Sequence, residues 1–158
     1  MRLLFLILIS SSCSIMMGDQ SSSAKGKIYK IKFIEDGWSL KKKDKRSDYV
    51  YEHADGRILL SNSFCEEFQE EDLDHLAKKT FRGIGDFQSQ KEKWSTFHER
   101  EAYRLEGKGK VDGVPVGVSL LNTRRNRCYF DFVGINPEKN TASDTAYFDR
   151  FLSSVEFE

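Results

Sequence analysis

The chain has 158 residues, and 25 lysines and arginines balance 25 aspartates and glutamates to a formal net charge of zero. This balance excludes the overall basic excess with which many nucleic-acid-binding proteins attract phosphates. The segment 27–158 is long enough for one domain with a hydrophobic core, and two prolines and no internal repeat indicate a single compact unit.

The first twelve residues have the parts of a secretory signal peptide. Arg2 precedes the apolar run 3–9, and three serines follow it. The run is much shorter than the roughly 20 residues that a transmembrane helix needs. We therefore predict a signal peptide at 1–12 and export of the rest of the chain.

Cys13 follows small residues, and this arrangement resembles the lipobox of bacterial lipoproteins. Ser10 stands where that family usually has leucine, and Ile9 lies one position further back. The resemblance implies lipidation at Cys13 and a membrane-anchored protein in the periplasm or at the cell surface. Ordinary cleavage between 12 and 24 would instead give a soluble periplasmic or secreted protein. The polar segment 13–26 would serve as a flexible, lipid-tethered linker.

Two further cysteines, Cys65 and Cys128, remain once Cys13 is acylated or removed. In an oxidising envelope an even pair is expected to form a disulfide. The absence of a C-x-x-C pair argues against a thiol redox site.

An amphipathic strand opens the domain. Alternation over 27–34 puts Tyr29, Ile31 and Phe33 on one face, and Asp36-Gly37 then predicts a turn. The other face carries Lys30 and Lys32 together with Ile28 and Ile34, and this alternation is typical of a half-buried strand.

A hairpin and a helix follow this strand. The Asp55-Gly56 pair between the β-prone segments 49–53 and 57–61 predicts a hairpin, since both residues accept positive φ. Over 70–84, apolar residues recur every three or four positions, acidic residues come first and basic residues last. This pattern predicts a helix with one apolar face.

The second half of the domain predicts a meander and a final helix. Residues 86–92 predict a loop or a weak strand. We predict three longer strands, separated by turns at Asp112-Gly113 and at 123–127, over 94–111, 114–122 and 128–135. The last strand is apolar on both faces, which predicts a central position. A helix capped by Thr141 or Ser143 runs to about Ser153, and a short extended tail follows.

This order of elements predicts an α+β fold, an antiparallel β-sheet with helices packed on its faces. It resembles the PsbP-like fold of photosystem extrinsic proteins, of DcrB-type bacterial envelope lipoproteins and of a Ran-binding nuclear import factor. The matching features are Gly37-Trp38, Asp112-Gly113 before Val114-Pro115, the segment 129–132 and the ending 148–157. The resemblance implies a single PsbP-like domain at 27–158 and a non-enzymatic, accessory or binding role.

No catalytic residue, metal or cofactor is predicted. His53, His75 and His98 each stand beside an acidic residue, but none has the spacing of a metal-binding motif such as H-E-x-x-H. The chain also lacks the G-x-S-x-G sequence of a nucleophile elbow. Exposed or partly paired histidines are the simpler interpretation.

Two basic clusters form a candidate interaction patch. Its residues are Lys41, Lys42, Lys43, Arg124, Arg125 and Arg127. The segment 41–46 predicts a solvated loop or a patch that faces anionic lipid headgroups. The two neighbouring arginines 124 and 125 are predicted to lie in a solvated turn. If the clusters converge on one rim of the sheet, they would favour an acidic partner or a membrane surface.

The sequence thus favours an exported, non-catalytic lipoprotein that serves as an accessory or binding module for an envelope protein assembly. It would reach the membrane through Cys13 and would bind neither nucleic acid nor a cofactor. The alternative is a small-ligand-binding protein of the cell envelope whose sheet and helix enclose an apolar molecule.

Overall fold

The computed structural model describes residues 28–41, 47–65, 71–137 and 145–158. The predicted signal peptide, Cys13 and the linker lie outside the described residues. The strands are β1 (Tyr29–Ile31), β2 (Trp38–Leu40), β3 (Tyr49–His53), β4 (Ile58–Phe64), β5 (Gly85–Phe97), β6 (Arg100–Val111), β7 (Val114–Arg125), β8 (Cys128–Pro137) and β9 (Val155–Phe157). The helices are α1 (Leu73–Thr80), which continues into a 3-10 turn (Phe81–Gly83), and α2 (Ala146–Ser153).

Seven strands form one antiparallel sheet in the order β2-β3-β4-β8-β7-β6-β5, and β1 pairs with β9 in a separate two-stranded sheet. β8 lies between β4 and β7, so the central position predicted for it is confirmed. The helices and the large antiparallel sheet together confirm the predicted α+β class.

The two faces of the large sheet bury different side chains. One face, which we call the α2 face, lies under α2 and the β1–β9 pair and is rich in aromatic residues, with Phe130, Phe132 and Phe151 fully buried. The other, the α1 face, buries mainly aliphatic residues of β6 and β7 beneath α1. Apolar residues on both sides of β8 therefore enter two separate cores.

The region 94–111 is not the single strand that the sequence predicted. It contains the end of β5, a two-residue turn at His98-Glu99, and β6. Both turn residues have positive φ, 45° and 63°. Asp112-Gly113 and Asn126-Arg127 join the next strands in the same way, with positive φ at both positions. Such turns match the twist of antiparallel strands, and Asn, Asp and Gly are their usual residues. Neither His98 nor Glu99 belongs to that set, so the turn carried no sequence signal.

Three other boundaries also differ from the prediction. β7 continues through Arg125, so the turn predicted over 123–127 contains only Asn126 and Arg127. The helix predicted over 70–84 is regular only from Leu73 to Thr80. The final helix begins at Ala146, and the proposed caps at 141 and 143 lie outside the described residues.

Two glycines of β6 let the irregular first half of β5 approach closely. A Cβ at Gly107 would lie 2.5 Å from the Gln88 carbonyl oxygen, and one at Gly109 would lie 2.4 Å from a methyl carbon of Ile84. β5 has register irregularities between residues 85 and 91 on this side. Only glycine fits such a contact, because any side chain would displace the neighbouring strand.

Candidate interaction surfaces

One end of the large sheet, which we call the disulfide end, holds the His98-Glu99 and Asn126-Arg127 turns and a disulfide. Cys65 directly follows β4 and Cys128 opens β8, and their sulfurs are 2.16 Å apart. The predicted pairing of these cysteines is therefore present. Since Phe64 and Tyr129 lie opposite each other on the adjacent rung, the disulfide fixes the register of the β4–β8 pair.

The C-terminal strand seals the disulfide end with an aromatic ring. The ring centroid of Phe157 lies 5.0 Å from that of Phe130 and 5.3 Å from that of His98. Its neighbour Glu158 donates a backbone hydrogen bond to the Ile28 carbonyl at 3.0 Å. The described part of the chain therefore begins at this end of the sheet.

Three arginines surround this cluster, and we call them the disulfide-end arginines: Arg100, Arg125 and Arg127. The Arg125 guanidinium carbon lies 5.2 Å from the Phe157 ring centroid, a cation–π contact, and its Nε is buried without a hydrogen-bond partner among the described residues. The other two are exposed. None of the three forms an ion pair with a carboxylate in the described ranges. Two exposed acids, Glu99 and Glu101, flank the first of them in sequence.

The structure describes four of the six members of the predicted basic patch, and it puts Lys41 four strands away from β7. Lys41 lies at the end of β2 and pairs with Glu52 at 3.1 Å. Strands β3, β4 and β8 lie between β2 and β7, which puts roughly 19 Å between Lys41 and β7 at the usual strand spacing. Lys42 and Lys43 lie outside the described residues, so convergence of the two clusters stays a prediction.

The prediction of a solvated turn at residues 124 and 125 was wrong. Both are half-buried strand residues, and strand alternation puts them on opposite faces of the sheet. Arg125 shares the α2 face with its cross-strand partner Cys128, whereas Arg124 lies beside Tyr129 on the α1 face.

The opposite end of the sheet holds the turns at Ala54–Gly56 and Asp112-Gly113. There, Asp55 binds the Arg57 guanidinium at 2.9 Å and the His53 Nδ1 at 2.7 Å. Partial burial alone would raise the pKa of the Asp55 carboxyl, but hydrogen bonds from Arg57 and His53 outweigh it and lower that pKa to about 2. The same guanidinium lies 5.5 Å from the Trp38 ring and 5.2 Å from the Tyr147 ring. Each charged group of this cluster contacts another member of it, which is typical of a structural network.

A buried carboxyl lies on the α1 face. Asp131 is 5% exposed and stands between Asn62 and Asn122 on the neighbouring strands. Burial raises the pKa of this carboxyl to about 7, although hydrogen bonds to Tyr129 and Thr80 act against the rise. The group could hold a proton near neutral pH, but it is enclosed by protein, so we assign it a structural role.

Strand β5 forms one edge of the sheet and is mostly exposed on both faces over its 13 residues. Trp94 is 49% exposed, and its ring makes an edge contact with Tyr103 at 5.0 Å. The strand at the other edge, β2, has three residues. The sequence did not predict this surface, because 86–92 favoured a loop and His98-Glu99 is not a residue pair typical of a hairpin turn.

The remaining histidines, His75 and His98, lie on different elements of the fold. His75 is on α1, and its Nδ1 lies 3.4 Å from Oε1 of Glu71, which precedes the helix. The ring centroid of His98 lies 4.5 Å from that of Phe97. Within the described ranges no group of three His, Cys, Asp or Glu side chains is placed to hold a metal ion. In the same ranges, no helix combines the length and the apolar character needed to cross a membrane.

Comparison with solved structures identifies the class of fold. LpqN of Mycobacterium tuberculosis, described as involved in cell envelope biogenesis, matches with a TM-score of 0.63 and 11% identity over 80% of this chain and 81% of LpqN. The PsbP protein of Synechocystis, CyanoP, matches with a TM-score of 0.58 and 15% identity over 86% of this chain and 90% of CyanoP. A Bacteroides thetaiotaomicron protein matches with a TM-score of 0.59 and 8% identity over 83% of this chain and 45% of its own.

The fold is therefore PsbP-like, as the sequence predicted, while the finer assignment to the DcrB-type lipoproteins stays a prediction. No protein-family model matches the chain. No curated protein matches it either.

Proposed function

We propose that this protein is an exported, non-catalytic lipoprotein, held at the membrane through Cys13, that binds another envelope protein through the exposed face and edge of β5. The observation that carries the proposal is the long edge strand with a half-exposed tryptophan on its regular segment. The signal-like segment 1–12 with the cysteine after it supports export and anchoring. The shared fold with LpqN supports an envelope setting.

Edge strands are usually protected against pairing with other chains, because their free backbone groups are a template for a further strand. β5 has such protection in its first half, where the register irregularities lie, and in its lysines 91 and 93. From Lys91 to Phe97 the pairing with β6 is continuous, so no bulge interrupts this segment. A partner strand could add there, and Trp94 would supply a large apolar contact beside it.

Site-specific photo-crosslinking in intact cells tests this proposal. A crosslinker at Thr96, an exposed residue on the same face as Trp94, is expected to give one discrete adduct with an envelope protein. The adduct should be lost in Trp94→Ala and retained in Val114→Ala, which removes another half-exposed apolar side chain. A crosslinker at Ser153 on α2 serves as the positional control. Equal adducts from both positions, or no effect of Trp94→Ala, would contradict the proposal.

Fractionation tests the anchor independently of the partner. Wild-type protein is expected to stay with the membranes through salt washes, whereas Cys13→Ala should be released into the soluble fraction. A Cys13→Ala protein that remains bound like wild type would contradict lipid anchoring at Cys13. The proposed partner surface on β5 would still be tested separately by the crosslinking experiment.

A further inference from the structure

We infer that the disulfide end of the sheet is a docking surface for a membrane rich in anionic phospholipid headgroups, read by Arg100, Arg125 and Arg127. The inference rests on the proposed function, because the proposed lipid anchor at Cys13 would bring this end of the domain to the bilayer. Its occupant is the membrane surface itself and not a soluble anion.

The first described strand, β1, begins at the disulfide end. β1 runs from the disulfide end toward the middle of the domain, because Tyr29 lies opposite Phe157 and Ile31 lies opposite Val155. The described chain therefore enters at this end, and 14 residues separate Ile28 from Cys13 in the sequence. For comparison, a flexible coil of fourteen residues has a root-mean-square end-to-end length of roughly 20 Å. An acylated Cys13 would keep this end of the domain near the headgroups.

The charge distribution is the second argument. In the described ranges, Lys30 of β1 is bound to Glu158 at 2.6 Å, and Lys32, which directly follows β1, is bound to Glu156 at 2.8 Å. Among the described residues, the three disulfide-end arginines have no such carboxylate. Two of them, Arg100 and Arg125, lie on the α2 face, the side on which β1 and β9 lie. Each is two residues along its strand from a member of the last β6–β7 pair, Ala102–Thr123, and Ala102 packs in the core of that face.

The geometry of the guanidinium groups is the third argument. Arg125 stacks on Phe157, so its orientation is held by an apolar ring instead of by an acid. Arginine suits phosphate recognition because its planar fork donates two parallel hydrogen bonds. Arg125 is held in place on Phe157, and Arg127 projects from the tight Asn126-Arg127 turn. Together they can donate hydrogen bonds to several headgroups in one plane, whereas binding of a single phosphate would not require donors spread in this way.

Vesicle flotation with the full chain carrying Cys13→Ala tests the inference without any acyl chain at that position. The parent is expected to bind vesicles of phosphatidylcholine mixed with phosphatidylglycerol in preference to phosphatidylcholine alone, and to be released by salt. Adding Arg125→Gln and Arg127→Gln should weaken the preferential binding roughly tenfold or more. Adding Lys108→Gln and Lys110→Gln, at the opposite end, should leave it unchanged.

Three outcomes would contradict the inference. Equal binding to both vesicle types, or equal loss in the two double variants, would overturn the inference. Complete competition by soluble glycerol phosphate at constant ionic strength would assign the arginines to a free phosphate and would also overturn it. Thermal unfolding of each variant shows that the fold is retained. Because the Cys13→Ala chain is used throughout, these results are independent of whether Cys13 is acylated in cells.

Discussion

The two ends of the sheet differ in how their basic side chains are paired with carboxylates. At the opposite end, Arg57 meets Asp55 at 2.9 Å and Lys110 meets Asp86 at 2.8 Å. At the disulfide end, Arg125 and Arg127 have no carboxylate partner among the described residues. Both ends use tight turns with positive φ, so the difference lies in the side chains and not in the backbone. It indicates that the charges of the opposite end stabilise the fold, whereas those of the disulfide end can meet something outside it.

The largest expected effect is loss of the disulfide. Replacing both Cys65 and Cys128 by serine should lower the free energy of unfolding by about 4 kcal/mol at most, because a loop of 63 positions is no longer closed in the unfolded chain. Thermal unfolding with and without a reducing agent measures this effect, and the Cys13→Ala chain should respond like wild type. An unchanged melting temperature on reduction would show that the disulfide end does not depend on its crosslink.

A second prediction concerns the aromatic seal of the disulfide end. Phe157→Ala should cost about 2–3 kcal/mol, because it removes the ring that packs on Phe130 and His98. Phe64→Ala is the matched control at the same end, since that ring is 42% exposed on the other face and should cost about 1 kcal/mol or less. Chemical denaturation of the two variants decides the order, and a larger cost for Phe64→Ala would mean that β9 does not seal this end.

A third prediction concerns the pH dependence of stability that the buried carboxyl of Asp131 causes. Asp131 lies on β8, two residues after Tyr129, and burial raises the pKa of its carboxyl from 3.8 to about 7. The folded state therefore holds a proton that the unfolded state releases, and this group's contribution to stability falls as the pH rises from about 4 to about 7. Asp131→Asn should be more stable than wild type by roughly 2 kcal/mol at about pH 8 and nearly equal to it at about pH 5. Equal effects at both pH values would rule out a buried proton.

The smallest effect is expected from the opposite end in acid. The pKa of Asp55 is lowered to about 2, so its contribution is present above about pH 4 and is lost as the pH falls toward about 2. Asp55→Asn should destabilise the protein by about 1 kcal/mol at neutral pH, since the pair is partly solvated. The difference from wild type should shrink in acid, as followed by circular dichroism. A constant difference across this range would place the origin of acid sensitivity elsewhere.

The sequence predicted those features that local patterns specify. Apolar residues on both faces of 128–135 predicted the central strand, because an inner strand must fill a core on each side. The Asp55-Gly56 and Asp112-Gly113 pairs predicted their turns, since their residues adopt positive φ at little cost. An even cysteine pair in an exported chain predicted the disulfide.

Long-range packing decided the features that the sequence could not predict. The His98-Glu99 turn is held by the pairing of two long strands, which outweighs the cost of positive φ at residues that seldom adopt it. The turn predicted over 123–127 gave no indication that Arg124 and Arg125 lie on opposite faces, since successive residues alternate between faces in a strand but not in a turn. The contact of Arg125 with Phe157 joins distant parts of the chain and leaves no local pattern.

The central claim, that the disulfide end faces the membrane while the opposite end faces away, is tested most directly by arginine modification. Phenylglyoxal labelling followed by peptide mass spectrometry is applied to the wild-type protein on its native membranes and to the soluble Cys13→Ala chain. Arg82, exposed on the 3-10 turn near the opposite end, is the internal reference. We predict that labelling of Arg100 and Arg127 falls severalfold on membranes while that of Arg82 is unchanged. Equal labelling of all three arginines in both states would contradict the account.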